Sequence, residues 1–256
     1  MKSKLIILGC GSSVGVPRVD GFWGKCNQNN KKNKRTRCSA AIIKGSNSIL
    51  IDTSPDIKAQ LLSNKIKKIF SVIFTHEHAD QTNGLFELRP FFWKYKKRIN
   101  IYGNLKTIKH LEKRQDYLFK KISVYPPIVK ANIINSKFSL GKSNEKIHFK
   151  AINAKHGKTK SVIYIFEKTA YISDSNDLSI VNIKELKNLK YLVIDCLKFK
   201  KHPSHFNLKE SLYIHSCLKP KKTILTNLHH DLDYNNLLRK LPSNVIPAYD
   251  GLNLNL

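Results

Sequence analysis

Three residues of metal-ligand type, His76, His78 and Asp80, fall within five positions of one another. They follow an apolar run, Val72-Ile73-Phe74, inside the stretch SVIFTHEHADQTNG at 71–84. A run of that kind that ends in polar residues reads as a strand opening into a loop. Alternate residues at a strand end can face the same way. His76 and His78 therefore offer two imidazoles to one ion, and Asp80 offers a carboxylate to the same ion or a neighbour. Imidazole and carboxylate are common ligands of zinc, manganese or iron in hydrolytic sites.

The elements that must position these residues repeat one event. Short apolar runs end at 74, 152, 172 and 226. Each is followed within a few residues by a ligand type: His76, His78 and Asp80, then His156, then Asp174, then His229. Independent strands that place ligands at one edge build a convergent site between sheets. Asp52 closes another strand, 48–51, which pairs as a hairpin with 39–43. From a strand tip it can accept backbone amides or support a ligand histidine from behind. Helices are expected over 56–63, 82–90 (with Leu85, Phe86 and Leu88 buried), 105–120 and 178–188. Another runs to Cys217, capped by Ser204 or Asn207. Short strands interspersed with helices fit an α+β chain folded as a four-layer αββα sandwich better than a single parallel sheet. The length of 256 residues suits one domain spanning 1–256.

THEHADQ resembles the HxHxDH motif of the metallo-β-lactamase superfamily. The resemblance covers nearly the whole chain: LGCGSSVGVPR at 8–18, IDTSPD at 51–56, His156, YISDS at 171–175, NLHHDLDY at 227–234 and PAYDG at 247–251. It is strongest to the small phosphodiesterase-like branch that contains phosphoribosyl 1,2-cyclic phosphate phosphodiesterase. The tRNA 3′-processing endonucleases are more distant cousins. The resemblance implies the αββα metallo-β-lactamase fold and a zinc or manganese centre. His76, His78 and His156 would hold the first ion, Asp80 and His229 the second, with Asp174 bridging. His230 is a rival for His229; two adjacent histidines on an extended chain point apart, so only one would enter. A metal-bound hydroxide would open small or cyclic phosphodiesters. His205 and Asp80 are the catalytic candidates, His205 as proton donor to the leaving group. One position departs: the last His of the motif is Gln81. Its amide oxygen is a poor ligand, so one tight and one weaker ion are expected, with Gln81 a weak ligand of the second. Relatives carry a cysteine cluster that holds a structural zinc. Only Cys26 of it is recognisable, so no such zinc is expected.

The net charge of +28 points toward an anionic partner. Of the 46 basic residues only seven are Arg, however, and Lys, Asn and Ile are all abundant. An AT-rich coding sequence gives that bias to any protein. A small phosphodiester is therefore the expected partner, ahead of nucleic acid, and a homodimer is left open. An RNA-processing nuclease and a lactone or thioester metallohydrolase are the alternative functions. Arg35 and Arg37 either line the substrate mouth, where a guanidinium matches phosphate oxygens, or sit on solvated surface. No apolar run reaches the length of a membrane span. The N-terminal apolar run is too short for a secretory signal. Five scattered cysteines fit a reducing cytoplasm.

Overall fold

The computed structural model describes residues 2–179, 181 and 183–256. The chain builds one sheet from β1 (Ser3–Gly9), β2 (Ser39–Lys44), β3 (Asn47–Ile51), β4 (Ser71–Ile73), β5 (Ile99–Gly103) and β6 (Val129–Ile133). It then builds a second from β7 (Lys137–Leu140), β8 (Ile147–His156), β9 (Thr159–Phe166), β10 (Thr169–Ile172), β11 (Tyr191–Asp195), β12 (Lys222–Thr226) and β13 (Val245–Pro247). β14 (Leu252–Asn255) returns to the first sheet and pairs antiparallel with β1. The orders are β14-β1-β2-β3-β4-β5-β6 and β13-β12-β11-β10-β9-β8-β7. In each, antiparallel strands give way to parallel ones, at β3 to β6 and at β10 to β13.

Parallel neighbours need a crossover, and helices supply most of them. α1 (Ile57–Ser63) links β3 to β4. α2 (Ala79–Thr82) and α3 (Arg89–Tyr95) lie between β4 and β5, and α4 (Leu105–Arg114) links β5 to β6. α5 (Leu208–Leu218) and α6 (Tyr234–Leu238) serve β11–β12 and β12–β13. Both faces of the sheets are thus buried, and the period of two sorts the side chains between them. In β3, Ile49 and Ile51 point into a core shared with Tyr164, Val193 and Ile224 of the other sheet. Leu50 between them packs with Val72, Leu85 and Leu111 under the first helix layer. Ile172, Ile194, Ile214 and Leu225 form the matching layer beyond the second sheet. The four-layer αββα expectation holds.

Three helix expectations change. The helix read over 82–90 breaks into α2, a 3-10 turn Leu85–Leu88 and α3. Gly84 explains the break: a Cβ there would meet the Ser54 carbonyl at 2.0 Å, so the chain is pressed against the loop after β3. Phe86 is exposed, while Leu85 and Leu88 are buried as expected. The helix read over 105–120 stops at Arg114 and is followed by a 3-10 turn, Asp116–Leu118. The one read over 178–188 is a single 3-10 turn, Ile183–Leu186; Ile180 and Asn182 lie outside the described residues. Asn207, not Ser204, caps α5, in a reciprocal capping box with Glu210. Among the described residues no helix is long and apolar enough to cross a membrane.

Candidate metal centre

Buried β4 delivers Thr75 and His76 to the sheet edge, and His78 follows at the entry to α2 in extended backbone. Their rings lie 4.5 Å apart between centroids. His156, the last residue of β8 rather than a residue beyond it, brings a third ring to 4.9 and 5.0 Å from the first two. One ligand nitrogen from each lies within 4.8 Å of the others. Their hydrogen bonds decide which nitrogens are free. The Ser204 carbonyl can only accept, so His156 Nδ1 donates to it at 2.7 Å and leaves Nε2 as a lone pair. Asp52 accepts from the Thr75 amide and from Thr75 Oγ1, both at 2.8 Å. Having given its proton away, Thr75 Oγ1 accepts from His76 Nδ1 at 3.0 Å. His76 Nε2 is then a buried nitrogen with no partner. His156 Nε2 faces His78 Nδ1 at 3.2 Å. Burial holds the imidazole of His76 down at about 3 and lowers that of His156. The partnerless His76 Nε2 and the facing nitrogens of His78 and His156 form a donor set that fits a divalent cation.

Carboxylates at neighbouring strand ends complete the centre. Asp174 follows β10, is nearly fully buried, and shares a cluster with His156 and His205. Burial works against its charge, but His76, His205 and His156 outweigh that and hold it below the usual carboxylate range. Burial, reinforced by Asp174, lifts Asp80 to about 6. Asp195 ends β11 and accepts from His205 Nδ1 at 2.7 Å. Burial lifts Asp195 to about 7 against the pull of His205. Burial would lower His205, but Asp195, Asp174 and Asp80 overcome it and raise His205 to about 9. The 2.7 Å bond to Asp195 fixes the orientation of the His205 ring.

Asp52 at the tip of β3 reaches His76 only through Thr75. His229 does not stand where the resemblance put it. Its ring packs on His230 with centroids 3.5 Å apart, and its Nδ1 lies 3.2 Å from Asp231. The two adjacent rings do not point apart, because residues 229–232 form a turn and not extended chain. Asn227 takes the strand-end position after β12 instead, with its amide on Asp174 and Ser173. Gln81 is buried and donates to Asp174 through Nε2. Neither Asn227 nor Asp195 was singled out from the sequence as a site residue. Both sit at strand ends, Asp195 as the last residue of β11 and Asn227 one residue past β12, but a search for metal-ligand types passes over an amide such as Asn227.

The two arginines separate. Arg35 is 1 % exposed and bonds the carbonyls of His229 and Leu232, the side chain of Asn33 and the thiol of Cys26. It ties the N-terminal loop to the segment after β12 and does not reach a substrate, which corrects its assignment. Arg37 lines a cleft of about 610 Å³ with Arg18, Ser13, Pro55 and Asp80. Its Nε is paired with Asp56 at 2.9 Å.

Residues 47–229 match the family described as the beta-lactamase superfamily domain. A solved structure described as a new diphosphatase from the PhnP family is 31% identical, with a TM-score of 0.89 over 100% of this chain and 98% of that one. Zinc-bound PqqB from Methylobacterium extorquens shares the fold at 15% identity, with a TM-score of 0.81 over 99% of this chain and 100% of that one. The short form of human tRNase Z does so at 16%, with a TM-score of 0.70 over 98% of each chain. An octanoyltransferase of Porphyromonas gingivalis is 29% identical over 252 residues, 97% of this chain and 51% of that protein. The chain thus spans about half the length of that curated relative. The His/Asp cluster and this fold together support binding of a divalent metal. With its family match across the site and two sheets that superpose end to end on a PhnP-family structure, the chain belongs to the metallo-β-lactamase superfamily of hydrolases, on its phosphodiesterase-like branch.

Proposed function

We propose that the chain is a metal-dependent phosphodiesterase that opens small or cyclic phosphodiesters, with zinc or manganese as its ion. One observation carries the reading: His205, oriented by a buried carboxylate, sits against the histidine and aspartate cluster. His76, His78, His156 and Asp174 would hold the ion. When bound, it supplies Lewis-acid activation of water and of the phosphoryl group. His205 Nδ1–H is held by Asp195, which turns Nε2–H away from that carboxylate and toward a leaving oxygen. An alkoxide departs poorly without such a proton. Asp80 borders both the cluster and the cleft, where a carboxylate can orient the attacking water. Arg37 and Arg18, paired with Asp56 and Asp20, line the same cleft, and their guanidinium groups match phosphate oxygens better than a neutral ester. A cleft of about 610 Å³ suits a small ligand better than a polynucleotide.

The test is a panel at equal concentration: bis(p-nitrophenyl) phosphate, small cyclic phosphates, a precursor tRNA, a lactone and a thioester. The small phosphodiesters are expected to be turned over fastest. Preference for the lactone or thioester would replace the substrate class, and preference for the tRNA would make the chain a nuclease.

A further inference from the structure

Both oxygens of Asp174 are met by carboxamides. Gln81 Nε2 donates to Oδ2 at 3.2 Å, and Asn227 Nδ2 donates to Oδ1 at 3.3 Å. Both amide side chains are buried. They come from opposite halves of the chain, Gln81 from α2 directly after Asp80 and Asn227 from the tip of β12. Asn227 adopts φ 61°, a left-handed conformation that Asn tolerates better than most residues, and this turns its side chain onto Asp174. Its Nδ2 also lies 3.3 Å from the Ser173 carbonyl and 3.1 Å from His205 Nδ1. The Oε1 of Gln81 is buried without a partner. The imidazole that would complete a second ion, His229, is packed on His230 and Asp231. The clusters His76-His78-His156 and His156-Asp174-His205 do not include it; it groups instead with His230 and Asp231, apart from both.

A second ion beside Asp80 and Asp174 needs lone pairs aimed at it. Here two N–H groups are aimed at the carboxylate that would bridge to it. An amide N–H neutralises part of a carboxylate's charge but cannot bind a cation, and a neutral amide oxygen is a poor ligand beside imidazole. We infer that the Gln81–Asn227 carboxamide pair replaces the second ion of a two-metal hydrolase, leaving a one-ion centre at His76, His78, His156 and Asp174. The inference rests on the metal-dependent reading above and deepens it. The amides fix Asp174 in the position that a bridging ligand would take. Arg37 and Arg18, paired with Asp56 and Asp20, line the cleft beside that centre.

The experiment reads stoichiometry and needs no turnover. Chelator-stripped protein is titrated calorimetrically with zinc alone and with manganese alone, and metal per chain is checked by elemental analysis after desalting. One ion per chain is expected for the native sequence and for His229→Ala, and no tight ion for His78→Ala. The double substitution Gln81→His with Asn227→His puts imidazoles at both positions and is expected to hold two. Two ions on the native sequence would overturn the inference, as would a folded double variant that still holds one. Should the double variant fail to fold, Gln81→His alone is titrated, with gain of a weaker second ion expected and an unchanged count contradicting. A native chain that binds one ion but hydrolyses no phosphodiester supports this inference and removes the proposed substrate class.

Discussion

His205 and Arg37 are the residues whose roles can be separated by kinetics alone. Changing His205 to Ala should lower kcat by about 10²–10⁴-fold for a diester with a poor alkoxide leaving group. The loss should be small for p-nitrophenolate, which departs without a proton. Equal losses for both would assign His205 to positioning. Arg37→Ala should raise KM for a charged phosphodiester more than for a neutral ester, and equal effects would place Arg37 outside the binding step. Arg35, two positions earlier, should behave differently. Its removal leaves the Leu232 carbonyl unpaired in the interior, while that of His229 keeps the Leu232 amide, so Arg35→Ala should cost roughly 1–3 kcal/mol of stability by denaturant unfolding. Sequence could not separate the two arginines. The difference lies in partners distant in sequence: Arg35 reaches the carbonyls of His229 and Leu232, whereas Arg37 pairs with Asp56 at the cleft. For the same reason the ligand types His76, His78, His156 and Asp174 could be read directly, whereas Asn227 could not. Its role depends on a contact with Asp174 and not on its residue type.

At the scale of elements, strand ends were the legible feature. Apolar runs with β-branched residues announce β3, β4, β10, β11 and β12, and the polar residue after each is fixed by chain order. Helix lengths were less legible, because tertiary contacts cut them. Ile128 bonds the Leu118 carbonyl across the end of the run read as one helix, and Gly84 packs on Ser54 inside another. Asp233 shows how one side chain joins two elements. It caps α6 through Asn236 and holds the N-terminal loop through the Asn27 amide and Asn33 Nδ2. Asp233→Ala should cost about 1–3 kcal/mol, seen as a lower melting temperature. Burial opposes the Asp233 charge, but the bonds from Asn236, Asn27 and Asn33 outweigh it and hold its carboxyl below the ordinary range. A carboxylate depressed in the folded state adds stability above its unfolded value of about 3.9, and that stability fades as pH falls through the folded value. The native protein should therefore lose more stability on acidification below about pH 4 than the Ala variant does. Parallel acid profiles would show that Asp233 carries no such linkage.

Across the whole molecule, two seven-stranded sheets face one another and the candidate centre lies at one edge of the seam. β4 of one sheet supplies His76, while β8, β10, β11 and β12 of the other supply His156, Asp174, Asp195 and Asn227. The layered architecture was legible because strands and helices alternate with apolar residues on both strand faces. The number of ions was not, because it depends on which way two amides point. The most direct test follows hydrolysis of bis(p-nitrophenyl) phosphate as zinc or manganese is returned stepwise to chelator-stripped protein, with the rate plotted against ions bound per chain. The rate should be negligible without metal, rise in proportion to occupancy and become flat beyond one ion per chain. No hydrolysis at any occupancy, or a rate that keeps rising toward a second ion, would contradict a one-ion phosphodiesterase.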